Sequence, residues 1–101
     1  IPGRPGVPEV TGTDKSSVAL KWTAPESDGG APIFNYVVEY RPVSTTQWIH
    51  ANETLTVPDT TFSVTGLKEN KEYEFRVSAE NKAGVGEASK ATRPVKVVKS
   101  I

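Results

Sequence analysis

The sequence predicts an all-β fold, a sandwich of about seven short antiparallel strands. The clearest indication is a stretch after residue 72 in which Tyr73, Phe75 and Val77 alternate with charged or polar residues. A period of two is typical of a half-buried strand. Turn-forming residues recur along the chain, and no stretch shows a helical period. The 101 residues, 36% hydrophobic and 24% charged, suit one globular domain.

The first half of the chain is divided by proline and glycine clusters. Its predicted strands cover residues 7–11, 17–23, 33–43 and 48–51. The prolines before residue 9 favour an extended linker that enters an edge strand. In the second strand Val18, Leu20 and Trp22 share one face. In the third strand, the longest, Tyr36 and Val38 share a face in the same way.

The second half of the chain contains a leucine and a tyrosine whose spacing is typical of a corner before a core strand. Its predicted strands cover residues 54–57, 60–64, 73–80 and 90–99. Leu67 stands six residues before Tyr73, across polar, turn-like residues. A core leucine, a corner and a tyrosine that opens a strand form a tyrosine corner, in which the tyrosine hydroxyl meets the backbone of the corner. Gly84 and Gly86 predict a hairpin loop over residues 81–87.

The inward-facing side chains of these strands define the predicted core. Its central members are Trp22, Tyr36, Val38, Leu67, Tyr73, Phe75 and Val77. Burial of a large apolar side chain contributes roughly 1.5–3 kcal/mol. Truncation of Trp22 or Tyr73 is therefore expected to cost on the order of 3–5 kcal/mol.

Composition argues against several classes of partner. Twelve basic and twelve acidic residues cancel, whereas a nucleic-acid-binding protein shows a basic excess or stripe. Without cysteine the chain has neither a disulfide framework nor a thiolate metal site. No apolar run approaches transmembrane length. The sequence thus predicts no cofactor, no nucleic acid and no membrane partner.

The residues that could carry catalysis or bind a metal are isolated. His50 is the single histidine, and catalysis would need an oriented partner for it. Asp14, Asp28 and Asp59 lie in separate loops, where turn formation explains them better than a calcium site with six or more oxygens. The glycines at 84–86 precede no helix, so a phosphate-binding loop is not predicted. The module is therefore expected to be non-catalytic.

The core residues together resemble a known family. Trp22, residues 36–41 and residues 67–77 are similar to the corresponding parts of a fibronectin type III module, and the resemblance extends over nearly the whole chain. It implies an immunoglobulin-like sandwich of seven strands, with three in one sheet and four in the other. Glu69 and Lys71 stand where the family often has proline and threonine, which implies a less rigid corner.

The resemblance also implies a domain organisation. Residues 1–6 would be a proline-rich linker, residues 7–99 the fibronectin type III domain, and residues 100–101 the start of the next linker. The chain begins without methionine, which suggests a segment of a longer protein.

Three further stretches narrow the resemblance. Pro5 and Pro8 in the lead-in, residues 28–33 before the third strand and residues 80–89 after the sixth resemble the modules of titin and related giant muscle proteins (twitchin, projectin, myosin-binding protein C). This implies a cytoplasmic location in the A-band of the sarcomere. Neighbouring immunoglobulin-like and fibronectin type III modules would be partners, with myosin and thick-filament proteins as candidates, and the isolated module would be monomeric. A titin-like chain would carry its kinase domain elsewhere.

The predicted interaction surface combines outward strand residues with two loops at an end of the sandwich. It comprises Pro5, Pro8, Asp28, Gly29, Gly30, Glu39, Arg41, Arg76, Asn81, Gly84 and Gly86. For the strand residues a solvated face of mixed charge is the default interpretation, and a binding surface is the alternative to it. The alternative function is an extracellular adhesion or receptor ectodomain module, in which the Asn52-Glu53-Thr54 sequon would accept a glycan.

Overall fold

The computed structural model describes residues 1–51 and 56–99, which form two antiparallel sheets. The strands are β1 (Glu9–Thr13), β2 (Val18–Lys21), β3 (Asn35–Pro42), β4 (Ile49–His50), β5 (Thr61–Val64), β6 (Glu72–Asn81), β7 (Gly84–Val85) and β8 (Val95–Lys96). One sheet has the order β1-β2-β5. The other has the order β4-β3-β6, and both β7 and β8 pair with β6. The described ranges contain no helix, so the all-β prediction is confirmed.

The core lies between the two sheets and follows the alternation of β2, β3 and β6. The seven residues that the sequence places at its centre are all buried, with exposed fractions between 0% and 6%. Trp22 packs edge-to-face on Tyr36, with ring centroids 5.5 Å apart. Val57 and Val97, which the predicted core omits, are buried with them. Both lie outside the regular strands, where the alternation of apolar and polar residues does not predict burial.

The tyrosine corner is present. Leu67 is buried, and the hydroxyl oxygen of Tyr73 accepts a hydrogen bond from the backbone amide of Lys68 at 3.1 Å. Asn70 takes a left-handed conformation with φ 68°, which asparagine tolerates better than most residues. Its amide donates to the carbonyl oxygen of Val97 at 2.7 Å. The corner thus closes onto the residue that follows β8, although Glu69 and Lys71 stand where a proline and a threonine would stiffen it.

The prediction of one continuous strand over residues 90–99 is wrong, because only β8 is regular there. Between β7 and β8, three backbone amides donate to carbonyl oxygens of β6: Gly86 to Ala79, Ser89 to Val77 and Thr92 to Phe75. The donors are three residues apart and the acceptors two, so this segment cannot form a regular ladder. β7 and β8 are therefore the two ends of one edge segment along β6, and together they take the place of a single last strand.

Other strand boundaries also differ from the predictions. β1 begins at Glu9 rather than residue 7, since Pro8 has no amide hydrogen to give to a ladder. The strand predicted over 54–57 lies partly outside the described residues, and residues 56 and 57 are not in a strand. The division of the chain after residues 6 and 99 stays a prediction, and residues 100–101 lie outside the described part.

Candidate functional site

The outer face of the larger sheet carries two cross-strand ion pairs. In the register of β3 and β6, Glu39 is opposite Arg76 and Arg41 is opposite Glu74. Arg76 Nε lies 2.9 Å from Glu39 Oε1, and Arg41 pairs with Glu74. All four side chains are partly buried. The strand register therefore brings together three predicted site residues, Glu39, Arg41 and Arg76.

Trp48 lies over both arginines. The Arg76 guanidinium carbon is 4.3 Å from the centroid of the indole, and that of Arg41 is 5.1 Å away. Cations at these distances are attracted by the face of the ring. Trp48 immediately precedes β4, which pairs with β3 and so holds the ring above the two strands. We call Glu39, Arg41, Trp48, Glu74 and Arg76 the Trp48 cluster.

His50 borders this cluster. Its Nε2 lies 3.4 Å from Glu39 Oε2, and its side chain is 55% exposed, whereas that of Glu39 is 13% exposed. Glu39 is thus shared between His50 and Arg76. Within the described ranges, no group of three or more His, Cys, Asp or Glu residues could hold a metal ion. The Trp48 cluster presents an aromatic ring and charges that balance one another, and such groups are suited to recognition.

The remaining predicted site residues lie at the end of the sandwich where the loops 22–34 and 82–83 meet. Asn81 is only 2% exposed and ties the two loops together, since its Nδ2 donates to the carbonyl oxygens of Asp28, at 2.6 Å, and Ala31, at 3.4 Å. Gly29 and Gly30 both have positive φ, 73° and 93°. The geometry makes Asn81 a structural tie within this group.

The chain's own first residues cover the same end. Pro5 and Pro8 are buried. The amide of Gly3 donates to the carbonyl oxygen of Ser27 at 2.9 Å, and that of Gly6 to Thr23 at 3.1 Å. The predicted surface therefore separates into two areas. One is the Trp48 cluster on the sheet. The other is the loop end of the sandwich, which the first residues of the chain cover.

Sequence reasoning missed Trp48 as a site residue, as well as the buried hydroxyls of Ser89 and Thr92. The alternation of β3 shows that Glu39 and Arg41 face outward, but only the pairing of strands places Trp48 above them. For the hydroxyls, the available signal is their spacing of three residues. The sequon at Asn52 lies outside the described residues. No helix within residues 1–51 and 56–99 has the length and apolarity needed to cross a membrane.

Comparison with known proteins gives concordant matches. The family model of the fibronectin type III domain matches residues 3–95. Titin of Drosophila melanogaster is 34% identical over 99% of this chain, which is 0% of that protein to the nearest percent. The striated-muscle M-protein of Gallus gallus is 44% identical over 79% of this chain and 5% of its own length. A crystal structure of consecutive domains from titin superposes with a TM-score of 0.92 at 33% identity, over 98% of this chain and 33% of that one.

These matches concern a small part of each relative. The chain spans between 0% and 8% of the length of the curated relatives it matches. What the whole relatives do is therefore separate from what this segment shares with them, which is the sandwich and its core.

Proposed function

We propose that this chain, which belongs to the fibronectin type III family, is a non-catalytic structural and protein-interaction module of a giant sarcomeric protein. The observation that carries the proposal is its 44% identity to the striated-muscle M-protein over 79% of the chain. The module would serve as a spacer in a tandem array, and its longest dimension is 41 Å. Neighbouring immunoglobulin-like or fibronectin type III modules would be its partners within the same chain.

The Trp48 cluster is the part of the surface best suited to an external partner. Tryptophan and arginine are enriched among the residues that dominate binding energy at protein interfaces. Next to the cluster, Ile49 is 42% exposed and adds apolar area. We propose that this face docks on thick-filament proteins, with myosin as the first candidate, and that the module lies in the A-band. The fast-type myosin-binding protein C of Gallus gallus, which is 36% identical over 93% of this chain, supports this choice of partner.

Docking is tested by cosedimentation of the module, alone and in tandem with its neighbours, with myosin filaments. We expect wild-type protein to pellet with the filaments and Trp48→Ala to remain in the supernatant. Lys21→Ala, an exposed position on the other sheet, is the matched control and should pellet. If the wild-type module remains in the supernatant both alone and in tandem with its neighbours, the docking proposal is wrong and the spacer proposal stands. If Lys21→Ala alone abolishes pelleting, the partner binds the other sheet.

Location is tested by immunolabelling the full-length protein in isolated myofibrils. A-band stripes would support the proposal, and label restricted to another band would contradict the A-band assignment. The alternative, an extracellular module, predicts a glycan on Asn52 in protein from native tissue. Mass spectrometry of the peptide that contains this residue distinguishes the two, because a cytoplasmic protein does not receive an N-linked glycan.

A further inference from the structure

The first eight residues are buried and exposed with a period of three. Pro2, Pro5 and Pro8 are buried, whereas the residue before each of them is exposed. A polyproline II helix has three residues per turn, so residues three apart lie on one face. A segment that crossed solvent freely would bury none of its faces. We call Ile1–Pro8 the proline strap.

Backbone hydrogen bonds follow the same period. The amide of Gly3 donates to Ser27 and that of Gly6 donates to Thr23, both at carbonyl oxygens of the loop between β2 and β3. Arg4 Nη2 also lies 2.9 Å from Glu87 Oε2, in the segment after β7. Because both side chains of this ion pair are largely exposed, it adds little to the attachment. The backbone bonds and the buried prolines therefore hold the strap.

Gly29 and Gly86 lie directly beneath the strap. We call the surface on which the strap lies, which includes these two glycines, the seat. A Cβ atom at Gly86 would lie 2.1 Å from the carbonyl oxygen of Pro2, and one at Gly29 would lie 2.2 Å from that of Ile1. Gly29 also needs its positive φ, but Gly86 does not have a left-handed conformation. The amide of Gly86 is fixed by its bond to Ala79. Glycine at 86 is thus explained by the close approach of the strap.

The seat is held together by contacts that do not involve the strap. The Asn81 side chain donates to Asp28 and Ala31 in one loop, and its Oδ1 accepts the amide hydrogen of Ala83 in the other at 2.9 Å. Because Asn81 is 2% exposed while the strap is seated, water competes poorly for these bonds. The two loops are therefore joined by hydrogen bonds that do not pass through the strap.

We infer that the loop end of the sandwich is a preformed binding site for a proline-rich segment of the polyproline II type, occupied by the chain's own strap. While the strap is seated, the site is closed to outside peptides, and the path by which the chain enters the sandwich is fixed. The inference depends on contacts within the chain and is independent of the proposed muscle role.

Amide hydrogen exchange at Gly3 and Gly6 tests whether the strap is seated. In wild-type protein both amides should exchange slowly. Gly86→Ala, whose methyl group would collide with Pro2, should accelerate both by roughly an order of magnitude or more. Gly12→Ala is the matched control, since a Cβ there meets no atom within 4 Å. The amide of Trp22, bonded to Thr60, should stay protected in all three proteins and reports on the sandwich itself.

Exchange of Gly3 and Gly6 at the rate of an unstructured peptide in wild-type protein would overturn the inference. So would full protection of both amides in Gly86→Ala. If Gly86→Ala also exposes the Trp22 amide, the double variant Pro2→Ala/Pro5→Ala replaces it, because both changes lie in the strap. We expect the same acceleration there, and retained protection would contradict a seat that depends on the prolines.

Closure of the site is tested with a synthetic peptide of the strap sequence, residues 1–8, added in trans. NMR signals of Asn81 and Gly86 should shift on titration into Pro2→Ala/Pro5→Ala, in which the seat is intact and the strap weakened. The same titration should leave wild-type signals in place. Equal shifts in both proteins would show that the site is open, and no shift in either would show that the seat does not bind such a segment.

Discussion

The hydroxyl oxygen of Ser89 accepts the amide hydrogen of Val77 at 3.1 Å, while the amide of Ser89 donates to the carbonyl oxygen of Val77 at 2.7 Å. Thr92 makes the same two contacts with Phe75, at 3.1 and 2.9 Å. In a regular antiparallel pair a backbone carbonyl would accept each of these amide hydrogens. Here side-chain oxygens replace it. The two hydroxyls therefore complete the hydrogen bonding of β6, the strand at the centre of the larger sheet.

Removal of the Ser89 hydroxyl should lower the stability of the domain by more than the small size of the change suggests. In Ser89→Ala the buried amide of Val77 loses its side-chain acceptor, and we expect the free energy of unfolding to fall by roughly 1–3 kcal/mol. Ser63→Ala, an exposed position on β5, provides the same chemical change as a control. Urea denaturation measures both. Equal midpoints for the two variants would show that the hydroxyl of Ser89 is not needed to complete the pairing.

The bond that closes the corner predicts a smaller effect. Tyr73→Phe removes the acceptor of the Lys68 amide, and since Lys68 is exposed, water can replace part of the bond. We expect a loss of about 1 kcal/mol in the free energy of unfolding. Tyr40→Phe is the control, because the Tyr40 ring packs edge-to-face on Tyr73 at 5.7 Å without forming the corner. A Tyr73→Phe protein no less stable than this control would contradict the prediction.

Replacement of Trp48 should loosen the outer face of the larger sheet. Trp48→Ala removes the ring that lies over the guanidinium groups of Arg41 and Arg76, and partly exposed contacts of this kind contribute roughly 1–2 kcal/mol for two cations. Gln47→Ala, next to it and exposed, is the control for loop truncation. Chemical denaturation gives both values. Trp48→Phe should restore part of the lost free energy of unfolding, because a phenyl ring also attracts cations. No recovery would indicate that the shape of the indole matters more than its attraction for the two arginines.

Alkaline pH should destabilise the domain through Tyr36. Burial raises the pKa of its hydroxyl above the ordinary value of 10.0. Above that pH the unfolded chain releases a proton that the native state retains, so the stability contributed by this group is present below pH 10 and is lost as the pH rises. Between about pH 9 and about pH 11, the free energy of unfolding should fall more steeply for wild-type protein than for Tyr36→Phe. Parallel curves would contradict this prediction.

The parts of the fold that follow from local pattern were predictable. Tyr73, Phe75 and Val77 alternate with polar residues, and burial of one face of β6 follows directly. The corner was predictable because Leu67 and Tyr73 lie close in sequence and the hydroxyl needs a nearby partner. Both features depend on contacts over a few residues, for which a single sequence carries enough information.

The parts that depend on the pairing of distant strands were not predictable. Trp48 meets Arg76 only because β3 lies between β4 and β6, and the sequence does not state that register. The segment between β7 and β8 was misjudged for a different reason. Its register with β6 depends on the hydroxyls of Ser89 and Thr92, and strand patterns are based on backbone acceptors alone. Likewise, prolines in the first residues indicate an extended chain but not the surface on which it lies.

Asn81 has a practical consequence for anyone who would use this domain as a scaffold for new binding proteins. Because one buried amide joins the loop at residues 28–31 to the turn at residue 83, sequence diversity introduced in either place would disturb both. Residues 44–47, between β3 and β4, are all exposed. The hydroxyl of Thr45 donates to the carbonyl oxygen of Pro42, at the start of the same loop, rather than to a second loop. A library of variants at these four positions would preserve the framework.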